Sequence, residues 1–401
     1  MFFSVKLKYF LVSFLCGFYK KTINFCSKFL NKFNSDQKNK IVFCSSQGRS
    51  VGCNPKYIAK EILRQNLPYE LVWLAYPEFS KNISDLKGVR FVDYSNISLK
   101  MKELSKAKIW IDSSYKIEDL RLGLTKKKNQ FYINTWHGSL GIKKMFYDSQ
   151  TSILTDSFMH WFDKDFKNCD LMIANCDWEK EIYKSALGFK NEIQILGHAR
   201  NDIFFEDSKK YKKIVLDELG LDSNINIALY MPSFRDSLDI ECYDLNYDIL
   251  KNTLEEKFGG KWVVATRFHS INIKKDKKIL EQKASLYDLT YYSDMQELLA
   301  GVDVLISDYS SCMFDYILTN RPCFIYASDI EQYNTTRGFY YPLEKTPFLI
   351  SKTNDELGEN ILKFDIVQYQ ADCKKFLQEK NVVDDGNASK RIVELIKKII
   401  D

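Results

Sequence analysis

The sequence predicts an α/β protein made of two open, mostly parallel sheets that share a cleft. Three observations carry this prediction. The chain has 401 residues, which is room for two domains of ordinary size. Short apolar runs alternate with helical patterns, and the alternation occurs as two series. A charged helical stretch, 206–222, stands between the series and reads as the link.

In the first series the runs Ile41–Ser45, Leu71–Ala75, Ile109–Ile111, Phe131–Asn134, Leu171–Ala174 and Ile193–Leu196 are too short for helices. Their β-branched and aromatic content reads as buried strands. Helical patterns fall between them, as at Pro55–Arg64 and Trp178–Ser185. The second series offers strands at Ile227–Met231, Trp262–Thr266, Val304–Ser307 and Phe324–Tyr326. Its helices are expected at Leu245–Lys257, Met295–Ala300, Cys312–Leu318, Asp355–Lys363, Tyr369–Gln378 and Ala388–Ile399. Strands that alternate with helices imply parallel sheets covered on both faces. Such halves bind ligands at the carboxyl ends of their strands. The expected boundaries are 1–35, 36–205, 206–385 and a last helix at 386–401.

Residues 1–35 have a different composition. Lys6, Lys8, Lys20, Lys21, Lys28 and Lys32 are interspersed with Phe and Leu, and the first acid is Asp36. The apolar run from Tyr9 to Tyr19 is shorter than the ~20 residues a membrane span needs. The segment is expected to lie as a helix on an anionic membrane surface. A secretory leader is the weaker reading, since no A-x-A-like site follows. An ordinary helix packed on the fold is the other alternative. The 58 basic and 53 acidic residues nearly balance, which argues against nucleic acid as partner. The 10 cysteines include no C-x-x-C pair, so a reducing compartment fits better than a disulfide framework.

Candidate chemistry gathers at strand ends. Of the 4 histidines, His137, His198 and His269 stand there, each within two residues of a glycine or an arginine. Asn134-Thr135-Trp136-His137-Gly138-Ser139 leaves a strand for a turn. Gly138 is expected to supply a positive φ, His137 a general base, and Lys143 and Lys144 cations near a phosphate. Asp303 to Asp315 runs from a strand into a helix start at Ser310 or Ser311, where hydroxyls and unpaired N–H groups suit an anion. Arg267 and His269 follow one strand, and Ser233, Arg235 and Asp236 follow another. Arg337 follows Phe324–Tyr326 and its loop. Arginine suits bidentate phosphate recognition. The signatures of P-loop, dinucleotide-binding, zincin and hydrolase-elbow sites are absent from the sequence.

These residues, in this order, resemble the CDP-glycerol glycerophosphotransferase family of teichoic acid primases and polymerases. The block Asp303–Asp315 is the specific part, together with Arg321-Pro322, Asp329, Tyr333 and Arg337-Gly338-Phe339-Tyr340. Trp136-His137-Gly138, Gly197-His198-Ala199-Arg200-Asn201-Asp202, Pro232-Ser233-Phe234-Arg235-Asp236 and Arg267-Phe268-His269 match shorter motifs. The likeness runs from about Ile41 to Pro342. It implies two Rossmann-like domains in the GT-B arrangement, with the CDP donor in the second and the acceptor in the first. It also implies attachment to the cytoplasmic face of the membrane, a CDP-glycerol donor and a lipid-linked or polymer acceptor of teichoic acid or capsule type.

On this reading His137 is the base. His269 and Arg267 stabilise the diphosphate, Ser310, Ser311 and Arg337 hold phosphate oxygens, and Asp308 orients a histidine or the polyol. Gly138, Lys143, His198, Arg200, Asp202, Ser233, Arg235 and Asp236 complete the cleft. No metal ligands are assigned; magnesium is compatible with the diphosphate, although no carboxylate cluster demands it. The alternatives are CDP-ribitol as donor, a nucleotide-sugar glycosyltransferase of the same architecture, and a non-catalytic nucleotide-binding membrane protein. Oligomeric state is not legible in the sequence.

Overall fold

The computed structural model describes residues 37–401 apart from 81–82, 117–118, 120–122, 150–154, 236–241 and 270–284. The expected membrane segment 1–35 and Asp236 lie outside the described residues.

The first sheet holds β1 (Gln37–Cys44), β2 (Glu70–Ala75), β3 (Val89–Asp93), β4 (Ala107–Asp112), β5 (Phe131–Asn134), β6 (Leu171–Ala174) and β7 (Glu192–Ile195). Its order is β3-β2-β1-β4-β5-β6-β7, with every pair parallel. Helices α1 (Cys53–Arg64), α2 (Ile97–Lys106), α3 (Asp156–Asn168) and α4 (Asp177–Ala186) belong to this half. The charged link forms α5 (Ser208–Leu219), stopped by Gly220 at φ 65, a left-handed position that glycine adopts without steric cost.

The second sheet holds β8 (Ile225–Tyr230), β9 (Lys261–Thr266), β10 (Tyr287–Asp288), β11 (Val304–Ser307), β12 (Cys323–Tyr326) and β13 (Leu349–Ser351). Its order, β10-β9-β8-β11-β12-β13, follows the same doubly wound pattern, again all parallel. Helices α6 (Tyr247–Phe258), α7 (Met295–Gly301), α8 (Cys312–Tyr316), α9 (Ile330–Thr336), α10 (Asn354–Lys363) and α11 (Ile366–Glu379) accompany it. The strand order reverses beside β1 in one sheet and beside β8 in the other, the topological position where open α/β sheets bind ligands.

The strands without a counterpart in the sequence reading are β3, β10 and β13, all at or beside sheet edges. β3 buries only Val92 of its five residues, and β10 and β13 are two and three residues long. The expected helix Cys312–Leu318 is shorter than predicted. It ends at Tyr316, tightens into a 3-10 turn at Ile317–Thr319 and closes on Asn320 at φ 56.

The last helix, α12 (Ala388–Ile400), returns to the first half. Ile392, Val393 and Ile396 are fully buried in one core cluster with Ile41, Phe43, Ile58 and Ile62. Asp202 caps its start, accepting from Ala388 N–H at 2.9 Å and Ser389 N–H at 2.8 Å. Among the described residues no helix is long and apolar enough to cross a membrane.

Besides α12, two sets of contacts among the described residues join the halves. One is polar and buried: Arg200 pairs with Asp315 at 3.0 Å, Gln296 reaches Asn201 and Asp315, and Lys56 pairs with Asp294 at 2.8 Å. The other is a strap. Tyr340 N–H donates to Ile142 O at 2.8 Å and Lys144 N–H to Gly338 O at 3.1 Å, with Lys143 bridged to Phe339. Gly338 is required here: its φ is 74, and a Cβ would sit 3.3 Å from Lys144 Cδ.

Candidate active site

The first-half wall of the cleft begins where β5 ends. Asn134, fully buried, accepts from the Trp136 N–H at 2.8 Å and donates to Ser114 O. The chain then turns through Trp136 at φ 49. Left-handed backbone at a bulky residue is a steric outlier, and here it is held in place. Asn54, from the start of α1, donates to Thr135 O at 3.0 Å and Trp136 O at 3.3 Å. The Trp136 ring anchors the turn in the core, in edge contacts with Phe146 and Tyr183.

The expectation of positive φ at Gly138 is corrected. Trp136 and Leu140 take that conformation, and Gly138 does not. Gly138 serves close approach instead, since a Cβ there would lie 3.5 Å from Ser311 Oγ of the opposite half.

His137 projects into the cleft from this turn. Its Nδ1 lies 2.6 Å from Ser113 O. A carbonyl only accepts, so Nδ1 carries the proton and, in the neutral ring, Nε2 is left bare. Enclosure by the cleft walls lowers its pKa to about 4, and the Arg200 and Lys143 charges push the same way against the Ser113 carbonyl. His137 is exposed at the mouth of the turn, so water screens part of that push, of which desolvation is the largest cause.

The second-half wall comes from the ends of β8, β9 and β11. His269 follows β9 and stands beside Phe234 at 5.7 Å between ring centroids. Its pKa is also lowered to about 4, by desolvation and then by Lys143, Arg267, His137 and Arg337. The two histidines therefore lie within electrostatic reach of each other, one from each half. Lys143 is pushed down to about 8 by desolvation and then by Arg337. Its ammonium has no ion-pair partner among the described residues. The strap that fixes Lys143 also carries Gly338, so Lys143 and Arg337 are presented together. This concentration of cations in a half-enclosed cleft is suited to a polyanion.

Other predicted residues lie behind this surface. His198 is fully buried, with Nε2 3.0 Å from Glu179, and its backbone N–H donates to Asp384. Burial opposes its charge, but Glu179 outweighs it and the pKa is raised. Arg200 is spent on Asp315 across the halves, and Asp202 on the cap of α12, so none of these three lines the open cleft. Asp315, in the first turn of α8, is the partner that receives Arg200.

Arg235 was expected to line the cleft, but its fork grips a carboxylate. Nε and NH2 donate to Asp329 at 2.6 and 2.9 Å, and Asp308 pairs with it at 2.8 Å. The guanidinium also lies over Tyr309, Tyr333 and Tyr243 at 4.9, 5.1 and 5.6 Å. Asp308 is 1% exposed and accepts from Ser233 N–H at 2.8 Å. It organises the loops and does not reach into the cleft. Arg267 was read as a phosphate ligand, but its NH1 donates to Leu289 O and Tyr292 O, each at 2.9 Å, in the loop after β10. Ser310 and Ser311 remain half-exposed at the cleft, with Ser310 Oγ accepting from Cys312 N–H at 3.4 Å.

Sequence reasoning missed Asn54 and Asn134 as site residues. Asn134 left a signal: a polar residue closing an otherwise apolar buried strand. Among the described residues no group of three or more His, Cys, Asp or Glu is placed to hold a metal ion.

Comparison with known proteins agrees with this geometry. The model of the CDP-glycerol:poly(glycerophosphate) glycerophosphotransferase family matches residues 27–398. The chain belongs to that family. This glycerophosphotransferase is 29% identical over 367 residues to the teichoic acid poly(glycerol phosphate) polymerase of Bacillus spizizenii, covering 88% of this chain and 91% of that protein. It is 27% identical to the polymerase of the same name from Bacillus subtilis, covering 90% of this chain and spanning 49% of that protein's length. Among solved structures it superimposes on the wall teichoic acid polymerase TagF, an asparagine-for-histidine variant soaked with CDPG. The TM-score is 0.79 at 27% identity, over 95% of this chain and 94% of that chain.

Proposed function

We propose that this glycerophosphotransferase moves glycerol phosphate from CDP-glycerol to a hydroxyl of a membrane-linked teichoic acid or capsule-type polymer, releasing CMP. The observation that carries this reading is the close approach of the His137 turn to the other half, where a Cβ on Gly138 would lie 3.5 Å from Ser311 Oγ and Lys143 is bridged to Phe339 beside Arg337.

The acceptor hydroxyl oxygen attacks the β-phosphorus of the donor. Its proton passes to His137 Nε2, and the bond from the β-phosphorus to the bridging oxygen breaks, freeing CMP. His137 is suited to accept because its low pKa keeps it neutral at working pH. Lys143 and Arg337 offset the phosphate charge, neutral His269 and the Ser310–Ser311 loop donate hydrogen bonds to it, and Arg267 ties the loop after β10 to the end of β9. Charge stabilisation and positioning supply most of the acceleration in phosphoryl transfer. The second half holds the donor and the first the acceptor. The basic segment 1–35 would bring the cleft to the cytoplasmic face of the membrane, where a lipid-linked acceptor lies.

The test is CMP release from CDP-glycerol, with CDP-ribitol and nucleotide sugars as competing donors and membrane extract as acceptor source. Release from CDP-glycerol above the others is expected. Release from a UDP- or GDP-sugar instead would replace the reading with a glycosyltransferase.

A further inference from the structure

We infer that Asn134 is a positioning residue for catalysis, its side-chain amide fixing both the place and the tautomer of His137. The inference rests on the transfer reaction above with His137 as base.

His137 depends on two separate loops. Its backbone belongs to the turn after β5, and the carbonyl that receives its Nδ1–H, Ser113 O at 2.6 Å, belongs to the loop after β4. The Asn134 amide bonds to both loops. Its Oδ1 accepts from Trp136 N–H at 2.8 Å, one residue before His137, and its Nδ2 donates to Ser114 O, one residue after the orienting carbonyl. The Trp136 N–H can only donate and the Ser114 carbonyl can only accept, so the amide has one orientation here. Asn134 is fully buried, and water does not substitute for either bond. Trp136 at φ 49 adds the need for a clamp, because a left-handed bulky residue relaxes if its N–H is released.

No other side chain of this size both donates and accepts in this way. Aspartate keeps the acceptor for Trp136 but sets a second oxygen against the Ser114 carbonyl. Alanine removes both bonds and leaves the turn to the two Asn54 bonds alone. In either case the Ser113 carbonyl moves relative to the imidazole, Nδ1 loses its fixed acceptor, and the bare nitrogen no longer points reliably at the acceptor hydroxyl. A displacement of about 1 Å at such a site costs on the order of 10²-fold in rate.

The experiment compares wild type, Asn134→Asp, Asn134→Ala, His137→Ala and the His137→Ala/Asn134→Asp double variant. CMP release from CDP-glycerol gives kcat, and calorimetry gives CMP affinity as a check on the donor half. The expected result is a kcat about 10–100-fold lower in both Asn134 variants, CMP affinity within about twofold of wild type, and no further loss when Asn134→Asp is added to His137→Ala. An Asn134→Asp kcat within twofold of wild type, or an equal loss in the His137→Ala background, would overturn the inference. A second readout needs neither turnover nor a stable variant: the ¹⁵N shifts of His137 in the substrate-free wild-type chain. Protonated Nδ1 with bare Nε2 is expected; the reverse tautomer would overturn it. If the wild type releases no CMP but has this tautomer, the transfer reading fails while the positioning stands.

Discussion

At the scale of single residues, the free enzyme should be active between two titrations. His137 must be neutral to accept a proton, so activity rises with pH through its pKa. That pKa is lowered toward about 4 by enclosure and by Arg200 and Lys143. Lys143 must be charged to meet phosphate, so activity falls as pH rises through about 8. A kcat/KM profile should therefore hold its plateau across the range where an ordinary histidine titrates. Lys143→Met removes a cation that depresses both histidines, and its acid limb should move up toward 6.5. An unmoved limb would separate Lys143 from the site. The sequence made His137, His269 and Lys143 legible because scarce or charged residues at strand ends are conspicuous. It misassigned His198, Arg200 and Asp202 because the same types at the same kind of position meet partners far along the chain. Asp315 is 115 residues from Arg200, and no local pattern announces such a pairing.

At the scale of elements, Arg235 is the staple of the second half. It joins the loop after β8 to Asp308 after β11 and to Asp329 before α9, inside a ring of tyrosines. Arg235→Met should cost about 3–5 kcal/mol of stability, since two carboxylates lose their partner in a buried place. Arg235→Lys recovers only part of this, because an ammonium cannot span Asp329 bidentately. Chemical denaturation reads the first effect, and CMP calorimetry should show donor affinity falling with it. A variant of wild-type stability would mean that the loops hold without the staple. The strand interiors were readable because parallel strands buried on both faces become continuous apolar runs. β3, β10 and β13 were not, because edge strands are short or half-polar. The early end of α8 was hidden for another reason: Asp315 and Tyr316 are placed by tertiary partners, Arg200 and Val302 O, rather than by helix preference.

At the scale of the whole molecule, the halves are held by a buried polar hinge and by the strap from Gly338 to Tyr341. α12 adds a third tie, since the end of the chain packs into the first core. This return was not legible beforehand, because an amphipathic helix fits either half equally well by pattern. Arg200→Met should destabilise by about 3–5 kcal/mol by leaving Asp315 buried and unpaired, whereas Arg200→Met with Asp315→Leu should recover most of the loss. Unfolding midpoints of the two variants and wild type test this, and equal losses in both would place the cost elsewhere.

The most direct test of the account is CMP release from CDP-glycerol by wild type and His137→Ala, with membrane extract as acceptor source and CMP binding measured alongside. The account predicts turnover by the wild type, a loss of about 10²–10⁴-fold in His137→Ala, and unchanged CMP affinity. Near-normal turnover in His137→Ala, or a wild type that neither binds CMP nor releases it from CDP-glycerol, would contradict it.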